Sequence, residues 1–348
     1  MNIFSIVGAR PQFIKLAPLS NLLKEYHRET IIHTGQHFDE NMSHTFFDEL
    51  EITSPIKYLK VESNRHGDQT AKMLIGIENI LINEKPDLVI VFGDTNSTLA
   101  GVLASSKLNI KTVHVESGLR SKNRKMPEEL NRIITDHASD YLFAPTEIAL
   151  KNLNSEGLNN KSFLTGDIMV DSLDLALNRH RMHSIQQEYI DYYLLTLHRP
   201  YNVDDSLKLK KILSILSEMD ETIIFPVHPR TKKIITSNDI KFNPDIKLIN
   251  PLGYIDFISL MNNAKKIITD SGGIQKEAFI LQKPCITLRS ETEWVETVES
   301  GWNLLINVDL ENNVNNKILN FNPNSKIPKI FGKNVADKMV KIINSIQL

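Results

Sequence analysis

Short apolar runs alternate with longer amphipathic segments along the whole chain. In the first half, the runs that we interpret as β-strands are 2–7, 30–34, 87–92, 111–115 and 140–144. Segments of helical period lie between them, for example 13–26 and 69–82. Because strands that alternate with helices are typical of βαβ units, this pattern predicts a parallel sheet.

The second half repeats the arrangement. Its predicted strands are 193–197, 222–227, 246–249, 266–269 and 285–288. The polar stretch 178–192 lacks a strand signal, and we place the domain boundary just before it. We therefore expect an α/β protein of two Rossmann-like, doubly wound domains, 1–168 and 169–334, that face a cleft. A last helix, within 335–348, is expected to pack back on the first domain.

The length and composition of the chain exclude several classes of function. The 348 residues exceed one ordinary α/β core, and 40 basic against 42 acidic residues give a net charge of −2. This balance argues against a general nucleic-acid binder but leaves a local anion site open. No segment approaches the roughly 18 apolar residues of a membrane span. The N-terminal run, which has no basic region before it, indicates a strand instead of a signal peptide, so we expect a cytoplasmic protein.

Cys285 is the single cysteine of the chain. It excludes an internal disulfide and a cysteine-based zinc cluster. Its apolar neighbours favour a buried structural thiol.

In doubly wound sheets, ligands bind beyond the carboxyl ends of the strands. After the first strand come Gly8, which permits a tight turn, and Pro11, which suits the first position of a helix. Arg10 and Lys15 beside that helix N-terminus form a candidate anion site. An ordinary strand–helix turn with two solvated cations is the alternative.

Three acidic side chains of the first half are candidates for acid–base chemistry. Asp94 and Glu116 directly follow predicted strands, and Glu128 opens a helix after Pro127. The alternatives are that Asp94 caps a helix, that Glu116 pairs with Arg120, and that Glu128 only favours a helix N-terminus. The functional interpretation places the three carboxylates on one wall of the cleft.

Two histidines of the second half follow strands and precede arginines. They are His198 and His228, and no third ligand lies at a spacing that would indicate a metal site. A structural role is the alternative for each of them, but two such pairs at equivalent strand ends favour ligand binding.

Residues 269–277 read TDSGGIQKE, in which a strand ends and a helix begins. Backbone N–H groups at Ser271, Gly272 and Gly273 can hold a diphosphate, and Glu277 can accept both ribose hydroxyls. Arg289, after the next strand, can reach a phosphate or the sugar. A glycine-containing turn with a surface glutamate is the alternative. The chain has neither G-x-G-x-x-G nor G-x-x-x-x-G-K-[ST], which disfavours a bound NAD of the usual kind and a Walker-type ATPase.

Together the motifs GARPQFIK, GDTNS, HVESGLR, MPEELNR, HR-x-x-N, HPR, DSGGIQKEA and TLRSETEW resemble the non-hydrolysing UDP-N-acetylglucosamine 2-epimerase family. They cover residues 8 to about 302 in the order of that family. The opening, with TGQHFDENM and HGDQTAKML, is most similar to the branch of UDP-2,3-diacetamido-glucuronate 2-epimerases.

The resemblance implies a fold like that of GT-B glycosyltransferases, a UDP-sugar substrate, a homodimer, no metal and no cofactor, and a role in surface-polysaccharide precursor synthesis. The implied catalytic residues are Asp94, Glu116, Glu128 and His198. The implied substrate-binding residues are Arg10, Lys15, His228, Ser271, Gly272, Gly273, Glu277 and Arg289.

The chemistry of such a sugar agrees with the resemblance. Its C2 proton is not next to a carbonyl, so simple deprotonation is disfavoured. Without an NAD fingerprint, the remaining route eliminates UDP across C1–C2 and adds it back with the proton on the opposite face. That route needs carboxylates for the proton and firm retention of the diphosphate.

The sequence departs from the family pattern at two places. Tyr201 replaces the carboxylate of the HR-x-E-N motif. The segment after His37 lacks a basic residue that is found in family members activated by their substrate. The alternatives to an epimerase are a hydrolysing relative, a GT-B glycosyltransferase and a catalytically silent UDP-sugar-binding protein.

Overall fold

The computed structural model describes residues 1–36, 47–61, 65–182 and 189–347. The chain forms two compact units. Unit 1 comprises Met1–Leu175 with Ile330–Leu348, and unit 2 comprises Ala176–Lys329. The boundary that we placed at 168 from the sequence stays a prediction. None of the described helices has the length and apolar character needed to cross a membrane.

Unit 1 is built on a seven-stranded sheet in the order β3-β2-β1-β4-β5-β6-β7, with parallel neighbours throughout. Its strands are β1 Asn2–Val7, β2 Arg28–His33, β3 Ile56–Tyr58, β4 Leu88–Phe92, β5 Lys111–Val115, β6 Tyr141–Ala144 and β7 Ser162–Leu164. Its helices are α1 Arg10–Tyr26, α2 His66–Glu84, α3 Asn96–Lys107, α4 Pro127–Ala138, α5 Glu147–Ser155, α6 Met169–Met182, which continues into unit 2, and the C-terminal α14 Val335–Asn344.

Unit 2 has a six-stranded parallel sheet in the order β10-β9-β8-β11-β12-β13. Its strands are β8 Tyr193–Thr196, β9 Ile223–Pro226, β10 Ile246–Ile249, β11 Lys266–Thr269, β12 Cys285–Thr287 and β13 Asn303–Leu305. Its helices are α7 Pro200–Val203, α8 Ser206–Ser217, α9 Pro229–Ser237, α10 Tyr254–Asn263, α11 Gly272–Ile280, α12 Val295–Glu299 and α13 Val314–Asn320.

The central strands are buried along their length because helices cover both faces of a parallel sheet. All five residues of β4, LVIVF, are buried. Cys285 lies in β12 with 1% of its surface exposed, and burial raises the pKa of its thiol to about 12. The predicted structural thiol is therefore confirmed.

The ten predicted strands are all present, and the fold class, two doubly wound parallel α/β sheets, is confirmed. In both sheets the first strand of the unit lies inside, and the order reverses beside it. This reversal places the carboxyl ends of β1, β4 and β5 next to one another, and likewise those of β8, β11 and β12. These two sets of strand ends carry the candidate residues.

Candidate active site

The turn after β1 is shaped by close packing. The side-chain oxygen of Gln12 accepts from Gly8 N at 2.8 Å and from Ala9 N at 3.1 Å, and α1 begins at Arg10. A Cβ on Gly8 would lie 2.0 Å from Thr34 Oγ1, so space demands glycine there. The tight turn that we expected glycine to permit therefore depends on the missing side chain and not on a left-handed φ.

The start of α1 carries one of the strongest contacts of the site. Lys15 Nζ donates to Glu116 Oε2 as an ion pair in which both side chains are largely buried. Glu116 directly follows β5 with φ 71°, a left-handed conformation that is uncommon for a residue with a side chain. A Cβ on Gly93, after β4, would lie 3.3 Å from both Glu116 Oε2 and Lys15 Nζ. Glu116 therefore lies against the loop that carries Asp94.

Asp94 does not cap the following helix, because Thr95 takes that role and accepts from Thr98 N. Its carboxylate instead pairs with Arg132 Nη1 at 2.5 Å, and Asn131 Nδ2 donates to its backbone carbonyl at 2.9 Å. Both partners lie on α4.

Burial raises the pKa of the Asp94 carboxyl above its ordinary value of 3.8. Arg132 and Lys15 oppose the shift, whereas the negative charges of Glu116 and Glu128 add to it. The two neighbouring carboxylates Asp94 and Glu116 thus meet different environments, which is the arrangement that separates an acid from a base.

The glutamates that open α4 differ from each other. Glu129 is buried and accepts from Ser121 N at 2.9 Å, Lys122 N at 2.8 Å and the Arg132 guanidinium at 2.7 Å, so its role is structural. Glu128 is exposed, yet near enough to raise the pKa of Asp94. Arg10 is exposed at the start of α1. Unit 1 therefore brings Lys15, Asp94 and Glu116 together, with Glu128 near Asp94.

In unit 2, Asp270 binds residues that follow the neighbouring strand β8. This fully buried carboxylate follows β11 and accepts from the backbone N–H groups of His198 and Arg199, both at 3.1 Å, and from Asn202 Nδ2 at 3.1 Å. The His198 ring turns Nδ1 towards it at 3.3 Å, and 52% of the side chain is exposed. The HR-x-x-N motif therefore folds around Asp270, which leaves His198 Nε2 on the accessible side.

Desolvation lowers the pKa of His198 below 6.5. Asp270 opposes that shift, while Arg199, Arg289 and the second histidine, His228, lower the pKa further. His228 itself caps α9, where its Nδ1 accepts from Arg230 N at 3.2 Å. The two histidines are electrostatically coupled, but His228 also has the structural role that we held as the alternative.

The N-terminus of α11 holds the predicted anion-binding segment. Ser271 is the N-cap residue, Gly272 is buried and Gly273 is exposed. A carboxylate already occupies this position, because a Cβ on Gly272 would lie 1.9 Å from Glu293 Oε1. Glu293 also pairs with Arg289 Nη1 at 3.0 Å. A helix N-terminus favours negative charge, so it is occupied here by an acidic side chain of the protein.

The loop that carries Glu293 is fixed to α11. Thr292 Oγ1 donates to Gln275 Oε1 at 2.6 Å, and the buried Trp294 ring lies 4.4 Å from Lys276 Nζ. Glu277, also on α11, is 8% exposed. These contacts hold Glu293 in place over the helix N-terminus.

Tyr201 stands where the resembled family has a carboxylate. Its ring is 48% exposed, with Lys208 Nζ 5.4 Å from the ring centroid. It lines a pocket of about 230 Å³ together with Arg289 and Ser290. Since Asp270 is held by Asn202 and by backbone groups, the substitution leaves that framework intact.

Several residues that build the site were not singled out from the sequence: Glu129, Asn131, Arg132, Asp136, Asp270 and Glu293. Asp270 has a usable signal, since it directly follows a buried strand. Arg120, which we considered as a partner of Glu116, pairs instead with Asp136 at 2.7 Å and with Glu156 at 2.7 Å. The segment after His37 lies outside the described residues. Within the described ranges, no group of three or more His, Cys, Asp or Glu side chains is arranged to hold a metal ion.

We compared the chain with known protein families, sequences and structures. The family model of UDP-N-acetylglucosamine 2-epimerase matches residues 22–344. A UDP-N-acetylglucosamine 2-epimerase homolog of Methanococcus maripaludis is 51% identical over 358 residues, covering 99% of this chain and 100% of that protein. A UDP-2,3-diacetamido-2,3-dideoxy-D-glucuronate 2-epimerase of Pseudomonas aeruginosa is 45% identical and covers 88% of each chain.

A solved structure agrees with these relatives. The crystal structure of Methanocaldococcus jannaschii UDP-GlcNAc 2-epimerase in complex with UDP-GlcNAc and UDP matches with a TM-score of 0.86 and 44% identity, covering 99% of each chain.

Proposed function

The chain belongs to the UDP-N-acetylglucosamine 2-epimerase family, and we propose that it interconverts UDP-N-acetylglucosamine and UDP-N-acetylmannosamine by elimination and re-addition of UDP. The observation that carries the mechanism is the pair of neighbouring carboxylates in unit 1. Glu116 pairs with Lys15, whereas the pKa of Asp94 is raised by burial.

Unit 1 handles the proton at C2. One carboxylate removes it while the C1–O bond breaks and its electron pair leaves with UDP, which forms a C1=C2 double bond. In the second half-reaction, a UDP oxygen bonds to C1, and a proton adds to C2 from the opposite face. Glu116, paired with Lys15, suits the base in one direction, and Asp94, with its raised pKa, suits the acid. Glu128 supports that role through its charge on Asp94.

Unit 2 retains UDP between the two half-reactions. We assign the diphosphate to the N-terminus of α11 at Ser271, Gly272 and Gly273, with Arg289 as the side-chain cation. The ribose hydroxyls are assigned to Glu277. Because His198 Nδ1 faces the Asp270 carboxylate, Nε2 donates to the leaving oxygen when both ring nitrogens carry protons. Negative charge that develops on the departing UDP is thus met by donors already in place.

Arg10 and His228 complete the proposed binding set. Arg10 is exposed at the first turn of α1, and His228 is exposed and coupled to His198. We propose that both add positive character to the diphosphate environment. The elimination route uses no redox cofactor, since neither the elimination nor the re-addition of UDP transfers a hydride.

The proposal is tested by incubating the protein with UDP-N-acetylglucosamine in D₂O and following the sugar by NMR. The expected result is deuterium at C2 of both epimers, with UDP still attached. Free N-acetylmannosamine and UDP would indicate a hydrolase, and no exchange would refute the activity on this sugar. Exchange with a UDP-diacetamido-uronate alone would keep the mechanism and change the substrate, a branch that the Pseudomonas relative makes worth testing.

A cytoplasmic location, a homodimeric state and a role in surface-polysaccharide precursor synthesis complete the proposal. The homodimer and the polysaccharide role are expectations from the resemblance to the family. Ile75 and Ile82, seven residues apart on α2, are 58% and 49% exposed, which makes this helix the first place to test for a dimer contact. Light scattering of the wild type and of Ile75→Asp will show whether the mass halves.

A further inference from the structure

Helix α4 inverts the usual pattern of an amphipathic helix. Its buried residues are all polar or charged: Glu129, Asn131, Arg132, Thr135 and Asp136. Leu130, by contrast, is 45% exposed. Burying charged groups is costly unless they are paired and hydrogen-bonded, so a helix normally turns apolar residues inward. A buried charged stripe of this kind indicates a task beyond packing.

The deepest part of this stripe is Asp136, which forms a fully buried network with His114 of β5. Asp136 Oδ1 accepts from His114 Nδ1 at 2.7 Å, and Asp136 Oδ2 accepts from Gly118 N at 3.0 Å. The other ring nitrogen, His114 Nε2, donates to the Gly93 carbonyl at 2.7 Å. Arg120 supplies a second positive charge to Asp136 at 2.7 Å.

Both partners of the His114 ring are acceptors. Burial by itself raises the pKa of Asp136, but His114 and Arg120 outweigh it, and the pKa is lowered. Asp136 is therefore a carboxylate that only accepts, as does the Gly93 carbonyl, so each ring nitrogen of His114 faces an acceptor at 2.7 Å.

The network joins the two loops that carry the candidate acid and base. Gly93 directly precedes Asp94, and Gly118 lies two residues after Glu116. Through His114, Asp136 holds the first loop at Gly93. Through the Gly118 N–H, it holds the second loop directly. One buried carboxylate thus determines where both loops lie.

We propose that His114 and Asp136 are positioning residues of the epimerisation, which set the Asp94 and Glu116 carboxylates for proton transfer at C2 without contacting substrate. The inference rests on the proposed function of these two carboxylates. Small displacements of reacting groups cost large factors in rate, about 10²-fold for 1 Å. Loss of the hydrogen bond between His114 and the Gly93 carbonyl should therefore lower kcat and leave the Kd for UDP unchanged.

Two isosteric variants distinguish the contact of His114 with Asp136 from its contact with Gly93. In His114→Asn, the side-chain nitrogen corresponds to Nδ1, so the contact with Asp136 is kept and the contact with Gly93 is lost. In His114→Gln, the nitrogen corresponds to Nε2, so the contact with Gly93 is kept. We expect kcat for C2 deuterium exchange to fall about 10²-fold in His114→Asn and to be partly restored in His114→Gln, with KM and the Kd for UDP unchanged in both.

The control is Glu156→Gln, which breaks an ion pair at the outer end of the same network and leaves Asp136, His114 and Gly93 untouched. It should keep the wild-type kcat. Wild-type kcat in His114→Asn would overturn the inference, as would a loss of UDP affinity that matches the loss of kcat. If the wild type itself shows no exchange, it is the proposed function that fails.

Discussion

The two units carry the same sheet order but build their sites by opposite means. In unit 1 the site consists of side-chain charges that pair with one another: Lys15 with Glu116 and Arg132 with Asp94. In unit 2 the site consists of a helix N-terminus, an exposed histidine and a fully buried carboxylate, Asp270, that holds backbone groups. Unit 1 is suited to moving protons, and unit 2 to holding an anion.

This difference teaches that the same strand ends can serve acid–base chemistry or anion binding, according to which groups surround them. Paired, buried carboxylates acquire unequal proton affinities. Backbone N–H groups cannot titrate, and they bind a diphosphate without entering the proton chemistry. Four tests with single substitutions probe the contrast, from the largest expected effect to the smallest.

The largest effect is expected for Glu116→Gln in unit 1. The amide cannot accept the C2 proton, so kcat for deuterium exchange should fall by about 10²- to 10⁴-fold. The Kd for UDP, measured by calorimetry, should not change. Glu84→Gln, which breaks the surface ion pair with Lys57, serves as the control with wild-type activity. Unimpaired exchange in Glu116→Gln would remove this residue from the mechanism.

A smaller loss is expected for His198→Asn in unit 2. Asparagine keeps the contact at the Nδ1 position with Asp270 but removes the outward Nε2 donor. Loss of one donor to developing negative charge should lower kcat by about 10²-fold. His198→Gln, which retains a nitrogen at the ε position, should recover part of the rate. Equal kcat values for the two variants would exclude a role for Nε2.

The third test compares how two carboxylates of unit 1, Glu129 and Asp94, affect the free energy of unfolding. The pKa of Glu129 is lowered: burial alone would raise it, but the N–H groups of Ser121 and Lys122 and the Arg132 guanidinium outweigh burial. Its charge therefore adds stability above pH 4.5, the ordinary value, and that stability is lost as the pH falls through the lowered value. Glu129→Gln should lower the free energy of unfolding by about 1–3 kcal/mol at neutral pH.

The pKa of Asp94 is shifted in the opposite direction from that of Glu129. Because its pKa is raised, the charged form is disfavoured in the folded protein above pH 3.8, the ordinary value. Asp94→Asn should therefore leave stability at neutral pH unchanged or higher, while C2 exchange is impaired. Urea unfolding of both variants at neutral pH and near pH 3 measures the contrast. A destabilised Asp94→Asn protein with normal exchange would mean that Asp94 is structural.

The smallest effect concerns the carboxylate at the α11 N-terminus. Glu293 occupies the position assigned to the diphosphate and pairs with Arg289, so UDP must displace it. Glu293→Gln should bind UDP about three- to tenfold more tightly, a change of roughly 1 kcal/mol. Glu291→Gln, an exposed neighbour in the same loop, is the matched control. Weaker binding of UDP by Glu293→Gln would show that the carboxylate helps to hold the nucleotide.

Most of the fold was readable from the sequence because central parallel strands are continuous apolar runs. The three strands that we did not predict, β3, β7 and β13, are all sheet edges of three residues. Edge strands of this length are only partly buried, and so they carry no distinct pattern. α1 also begins three residues before its apolar period does, at Arg10, because the Gln12 side chain caps the preceding turn.

The candidate site was readable only in part, for a related reason. Residues such as Asp94 and Glu116 directly follow buried strands, so their position at a strand end is visible. Arg132 and Asp136 lie inside a helix, where a charged residue is expected to face solvent. The spacing of Glu129, Arg132 and Asp136 on one helix face is a signal, but only the structure shows that this face is buried.

The central claim is that unit 1 moves the C2 proton while UDP, cleaved from C1, is held in unit 2. Positional isotope exchange tests it directly, with UDP-N-acetylglucosamine that carries ¹⁸O between C1 and the β-phosphorus. If UDP is eliminated, held and added back, ³¹P NMR will show the label moving into non-bridging positions of the β-phosphate as C2 acquires deuterium. Deuterium at C2 with the label still wholly in the bridge would contradict elimination.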